Sequence, residues 1–125
     1  MPSSRRRVLV VDDDPKVVSA VSRLLALGHN VVGTVADGSE VLEAVQRLRP
    51  DVIVLDLHLP NLDGLSACRP ITQGDTEMRV VVFTASEDPN ARQRAFEAGA
   101  SAFVHKFASV EELLLAVQGA DGTRE

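Results

Sequence analysis

The chain has 125 residues, 45% apolar and 25% charged, with a formal net charge of −5, which is the size and make-up of one globular domain. The negative balance disfavours a nucleic-acid-binding surface, the lack of Trp and Tyr removes a platform for stacking bases, and no run approaches the roughly 20 apolar residues a bilayer span needs. The single cysteine, Cys68, excludes an internal disulfide and fits a reducing cytoplasm.

Arg5-Arg6-Arg7 precedes only a short apolar stretch that then turns acidic, so it does not read as a secretory signal and is expected to be a solvated terminus. Val8-Leu9-Val10-Val11 predicts a first strand, running into Asp12-Asp13-Asp14. Pro15 suits a first helical turn, Val17, Val21, Leu24 and Leu25 mark one helix face, and Gly28 can close it. Val31-Val32 with Val35 is a weaker second strand. Asp37 followed by Glu40 resembles a capping box, ahead of a face of Val41, Leu42, Val45 and Leu48 that Pro50 ends. Val52-Ile53-Val54-Leu55 is a third strand, running into Asp56.

Pro60-Asn61-Leu62-Asp63-Gly64 is turn chemistry. Leu65 to Ile71 predicts a short helix that Pro70 kinks or ends early, and Gln73 to Glu77 a loop. Val80-Val81-Val82-Phe83 is a fourth strand, running into Thr84. Glu87 to Ala98 predicts a helix with Pro89 near its start and Gly99 after its end. Ala102-Phe103-Val104 is a fifth strand, leading to Lys106. Ser109 with Glu112 is a second capping box, and Val110, Leu113, Leu114 and Val117 form the last apolar face. Residues 1–6 read as a flexible N-terminus, 7–118 as the domain and 119–125 as a C-terminal tail.

Continuous apolar runs suit strands covered on both faces. Five strands alternating with five helices predict an α/β, flavodoxin-like (βα)5 doubly wound fold, with a five-stranded parallel sheet in the order 2-1-3-4-5. Four of the runs then deliver Asp12-Asp13, Asp56, Thr84 and Lys106 to one edge of one sheet, where open α/β sheets place their ligands.

Three carboxylates in one pocket repel one another by about 4 kcal/mol per pair at 4 Å and an effective dielectric near 20. A proton or cation relieves this, and an oxygen-only donor set favours Mg²⁺. Asp56, alone at its strand end, is the candidate nucleophile toward phosphorus, giving an aspartyl phosphate. Lys106 and Thr84 are then placed to bind phosphoryl oxygens. Taken singly these signals are weak, since a lone Asp after a strand is usually a turn or cap residue. Their joint placement is what carries weight.

Val10-Val11-Asp12-Asp13-Asp14-Pro15, Arg49-Pro50-Asp51-Val52-Ile53-Val54-Leu55-Asp56-Leu57-His58-Leu59-Pro60, Leu62-Asp63-Gly64-Leu65, Val82-Phe83-Thr84-Ala85 and Ala98-Gly99-Ala100-Ser101-Ala102-Phe103-Val104-His105-Lys106 together resemble a bacterial response-regulator receiver domain, from about Arg7 to Gln118. The resemblance implies that Asp56 is the phosphoacceptor, that Asp12, Asp13, Asp56 and the main-chain carbonyl of His58 hold Mg²⁺, and that Lys106 is the pocket lysine. It implies Thr84 and Phe103 as the switch pair, which would alter the surface of the fourth helix, fifth strand and fifth helix. The implied donor is a sensor histidine kinase or a histidine phosphotransfer protein. The domain would be a self-phosphorylating and self-dephosphorylating acceptor rather than a turnover enzyme, cytoplasmic, and able to form a homodimer through that surface.

Phe107 stands where many members have proline, so a cis bond is not expected there and Phe107 is expected to pack on the core or the last helix. His58 is expected to be a solvated loop residue near the pocket mouth, with Ser86 small and opposite, while His29 and His105 read as structural. Lys106 without a following proline, with Glu111 to Val117, resembles receivers that precede a helix-turn-helix output domain. Three rivals are weaker. A pseudo-receiver would keep the fold for protein contacts alone. A haloacid-dehalogenase-like phosphatase would want Thr or Val where Lys16 stands and would leave Asp56 unexplained. A flavodoxin-like cofactor binder would need a hydroxyl- and glycine-rich loop where this one is acidic.

Overall fold

A computed structural model describes residues 5–59, 62–63, 78–108 and 110–119. The expected helix from Leu65 to Ile71 with its Pro70, Cys68, the loop from Gln73 to Glu77, the cap at Ser109 and both chain ends lie outside the described residues.

The sheet strands are β1 (Arg7–Val11), β2 (Asn30–Val35), β3 (Val52–Leu55), β4 (Arg79–Thr84) and β5 (Ala102–His105), and the α-helices among the described residues are α1 (Pro15–Leu25), α2 (Val41–Leu48), α3 (Ala91–Glu97) and α4 (Val110–Gly119). The strands are all parallel in the order β2-β1-β3-β4-β5, the flavodoxin-like order expected. Register sets the site: Val11 is level with Leu55, and Leu55 with Val82, so Asp12 and Asp56 leave adjacent strands at one height.

The continuous apolar runs follow from cover on both faces. Leu9, Val11, Ile53, Leu55, Val80 and Val82 join Val41, Ala44, Ala91 and Ala95 in one buried cluster, beneath α2 and α3. The alternate residues Val8, Val10, Val52, Val54 and Val81 join Val21, Leu25, Leu113 and Val117 in the other, beneath α1 and α4. β2, at the edge, is mostly half-buried, which is why its pattern is weak. Gly33 lets Leu48 close over that edge, since a Cβ there would lie 2.7 Å from the Leu48 Cδ1.

Several boundaries differ from expectation. α1 ends at Leu25, and Gly28 follows in a turn in which its N–H bonds the Leu25 carbonyl. Asp37 accepts from Ser39 N and Ser39 Oγ, opening a 3-10 turn over Gly38–Glu40, and α2 begins only at Val41. It ends at Arg49, whose φ of 50° is left-handed. α3 starts at Ala91 rather than near Glu87, because the Asp88 side chain accepts from Asn90 N at 2.9 Å and folds 88–90 into a local turn. His58–Leu59 and Leu62–Asp63 pair as two short antiparallel strands around the turn expected there.

Arg5, Arg6 and Arg7, expected to be solvated, are each bonded to the amino edge of the sheet. Arg5 Nη2 donates to the His29 carbonyl, Arg6 Nη2 to the Gln118 carbonyl at 3.1 Å, and Arg7 Nε and Nη2 to the Arg49 and Leu48 carbonyls. Carbonyls at helix ends lack intrahelical donors and carry partial negative charge, so guanidiniums suit them.

Candidate functional site

At the carboxyl edge, Asp12 (3% exposed), Asp56 (5%) and Thr84 (0%) are the buried polar ends of β1, β3 and β4. Each is held by the same local device, in which the side chain accepts from the amide two residues on. Asp14 N donates to Asp12 Oδ1 at 2.9 Å, His58 N to Asp56 Oδ1 at 3.3 Å, and Ser86 N to Thr84 Oγ1 at 3.3 Å. Short polar side chains that bond their own loop fix where the oxygens point. Asp14 in turn caps α1 by accepting from Lys16 N.

Lys106 reaches across from the end of β5. Its Nζ is 2.7 Å from Asp12 Oδ2 and 3.4 Å from Asp56 Oδ2. Its own N–H donates to the Thr84 carbonyl at 2.8 Å, which sets the base of the side chain. One carboxylate oxygen from each of Asp12, Asp13 and Asp56 lies within 4.8 Å of the others, Asp13 being the exposed member. Burial pushes the Asp12 carboxyl above its ordinary pKa, with the Lys106 hydrogen bond pulling the other way. Burial works against the Lys106 ammonium, but the Asp12 hydrogen bond and the charges of Asp56 and Asp12 outweigh it, and its pKa lies above the ordinary lysine value. Lys106 therefore stays charged and is the site's own counter-cation, a pairing with Asp12 that the strand-end pattern did not reveal.

Three carboxylates against one ammonium leave an excess of negative charge in a partly desolvated site. An all-oxygen donor set of this kind fits a hard divalent cation such as Mg²⁺. A cleft of about 420 Å³ opens beside the cluster between α1 and β2, with Asp12 and Asp13 on its wall and Val18, Thr34 and Val35 opposite.

The sequence-predicted residues are thus largely brought together: Asp12, Asp13, Asp56, Thr84 and Lys106 share one edge. The His58 side chain is exposed. Phe103 stands level with Val82, half-buried against the cluster beneath α3. His105 contacts Phe107 and Glu87 rather than the carboxylates, with its Nε2 3.8 Å from Glu87 Oε2. Phe107 corrects its expectation. It does not pack on the core or the last helix but is 80% exposed. Ala108 N bonds the His105 carbonyl, closing a turn with Lys106 and Phe107 at its corners, and Phe107 N bonds His105 Nδ1. The chain thereby turns the ring outward, 5.3 Å from the His105 ring. No cis peptide occurs among the described residues.

Known proteins resemble the chain over the same span. The family model described as a response regulator receiver domain matches residues 8–118. The response regulator MprA of Mycobacterium leprae is 38% identical over 112 residues, covering 90% of this chain and 49% of the relative. The DNA-binding response regulator MtrA of Mycolicibacterium smegmatis is 36% identical over 118 residues, covering 94% of this chain and 51% of the relative. The chain spans about half the length of these curated relatives. The crystal structure of a LuxR-family two-component response regulator from Aurantimonas sp. SI85-9A1 superposes with a TM-score of 0.86 at 36% identity, covering 92% of this chain and 84% of that one. With its sheet order, its strand-end acids and these relatives, the chain belongs to the response regulator receiver domain family, the phosphoacceptor domains of two-component signalling.

Proposed function

We propose that Asp56 accepts a phosphoryl group from a phosphohistidine on a sensor histidine kinase or histidine phosphotransfer protein. The observation that carries the reading is a buried carboxylate with one oxygen facing Lys106 and the other bonded to His58 N, next to a second buried acid. An Asp56 oxygen forms the new bond to phosphorus as the phosphorus–nitrogen bond of the donor breaks, and the histidine, protonated on its other ring nitrogen, takes the bonding pair and leaves as neutral imidazole. Asp12, Asp13, Asp56 and the His58 carbonyl would hold Mg²⁺, which supplies charge neutralisation at the phosphoryl oxygens. Lys106 exchanges its Asp12 contact for a phosphoryl oxygen. The Thr84 hydroxyl gives up Ser86 N and turns to another, and Phe103 moves into the space vacated.

The response is read at the surface of α3, β5 and α4, where Phe96, Val110 and Leu115 are exposed, and which would serve a partner or a homodimer. The domain acts stoichiometrically on itself and is not a turnover enzyme. A cytoplasmic setting fits a kinase partner, and no helix among the described residues is long and apolar enough to cross a membrane. The MtrA relative is a DNA-binding response regulator of which this chain matches about half, which supports a DNA-binding output unit in the whole protein; the acidic receiver itself makes no direct nucleic-acid contact.

The test is incubation with Mg²⁺ and acetyl phosphate, followed by mass spectrometry with and without hydroxylamine. Parent protein gains a hydroxylamine-labile phosphoryl adduct and Asp56→Asn gains none. Full labelling of the Asn variant reassigns the acceptor, and no labelling of the parent, with an NMR spectrum unmoved by beryllofluoride, makes the domain a pseudo-receiver.

A further inference from the structure

The opposite edge of the sheet carries a second titratable centre. His29 is 5% exposed. Its Nδ1 accepts from Arg6 N at 2.9 Å, so the ring proton sits on Nε2 and the imidazole is neutral. The Arg6 carbonyl accepts from Asn30 N at 2.9 Å, and Arg6 Nη2 donates to the Gln118 carbonyl in the last turn of α4. Arg5 Nη2 donates to the His29 carbonyl and to Asn30 Oδ1. One arginine therefore joins the imidazole and the edge strand through its backbone and the end of the final helix through its guanidinium, across 112 residues of sequence.

We propose that His29 is a proton-sensitive latch: while neutral it seats Arg6 so that its guanidinium holds the last turn of α4, and protonation unseats Arg6 and frees that turn. A proton on Nδ1 sets a donor against the Arg6 N–H donor, which breaks the bond. It also adds a buried positive charge within reach of those of Arg5 and Arg6. Arg5 and Arg6 are the charged groups acting on the ring, and neither favours the proton; α1 presents the Leu25 carbonyl, β2 presents Asn30 and α4 presents Gln118, all uncharged. Burial and both arginines accordingly hold the imidazole below its ordinary pKa, so the latch is closed at neutral pH and opens on acidification. None of these contacts involves the carboxyl edge, which makes this a control on the last turn of α4 that is independent of Asp56.

The experiment is an NMR titration of the full chain from pH 7.5 to 5, following the His29 ring carbons, the Arg6 amide and the amides of the last turn of α4. The expected result is one shared midpoint below that of a solvent-exposed histidine, with roughly tenfold loss of Arg6 amide protection, the size of one hydrogen bond. His29→Asn keeps an acceptor without titrating and flattens both amide responses. Arg6→Lys keeps the backbone bond and removes the fork, so the residue-6 amide still follows His29 while the α4 amides do not. α4 amides that move at a different midpoint, or that still titrate in His29→Asn, overturn the latch, as does a His29 titration that leaves the Arg6 amide unmoved.

Discussion

Replacing Lys106 by methionine removes the one cation paired with Asp12 and Asp56 among the described residues and keeps much of its volume. Asp12 and Asp56 are then left desolvated and facing each other without the ammonium that lies 2.7 and 3.4 Å from them. Taking one partner from a buried ion pair costs about 3–5 kcal/mol. Because the site opens to solvent at Asp13, the lower figure applies, about 3 kcal/mol. In a domain of this size each kcal/mol moves Tm by roughly 4 °C, so the variant is expected to melt about 12 °C below the parent in EDTA. Mg²⁺ at a hundred times its Kd returns about 2.7 kcal/mol, most of that loss. In the parent, Mg²⁺ and Lys106 would compete for Asp12, so at one Mg²⁺ concentration the parent is expected to be stabilised less than the variant. The assay is circular dichroism melting at pH 7.5 across a Mg²⁺ titration. A Lys106→Met protein within about 2 °C of the parent in EDTA, or one that gains no more from Mg²⁺ than the parent does, refutes the view that the lysine stands in for the metal.

Asp13→Ala removes the exposed member of the acid cluster. At 4.8 Å and near-water dielectric its repulsion is worth just under about 1 kcal/mol, so apo Tm should rise by up to about 3 °C while calorimetric Mg²⁺ affinity falls. A lower apo Tm contradicts the crowding argument. Thr84→Val keeps the buried shape and the backbone bond from Lys106 but loses the hydroxyl bonded by Ser86 N. Hydroxylamine-labile labelling of Asp56 should persist, and the change in Phe103 resonances on phosphorylation should not; a full Phe103 response removes Thr84 from the switch. His29, with its folded pKa held down, binds its proton more readily when unfolded. Stability should therefore be intact above the unfolded value of about 6.5 and fall as pH drops below it, by at most about 1.4 kcal/mol per pH unit. Urea melts of parent and His29→Asn should diverge over that window.

The fold was legible where burial is two-sided. Val8–Val11, Val52–Leu55 and Val80–Val82 are covered on both faces, and only continuous apolar runs satisfy that. β2 was faint because an edge strand faces solvent, and the start of α3 was misplaced because Asp88 competes for the local amide. Asp12, Asp13, Asp56, Thr84 and Lys106 were readable as neighbours because parallel register converts strand-end positions into one edge. The Lys106–Asp12 pairing was not, since a long flexible side chain can take several partners and its choice is settled in space. Phe107 was misread because apolarity predicts burial, whereas the turn at 105–108 decides direction. The arginine run is solvated as expected, Arg5 and Arg7 being exposed, but its bonds to the His29, Gln118, Arg49 and Leu48 carbonyls were not legible, since nothing local marks carbonyls that only the fold brings within reach.

The main-chain bond from Lys106 to the Thr84 carbonyl fastens the ends of β4 and β5 to each other directly beneath the ammonium and the hydroxyl. Those two groups share a rigid footing, so neither can be displaced by sliding one strand past its neighbour. On the function proposed above, whatever arrives at Asp56 would be relayed by torsions about single side-chain bonds and by the short spans at 85–90 and 106–108, with the ladder below as a stationary reference against which a small rotation becomes a readable change of outline.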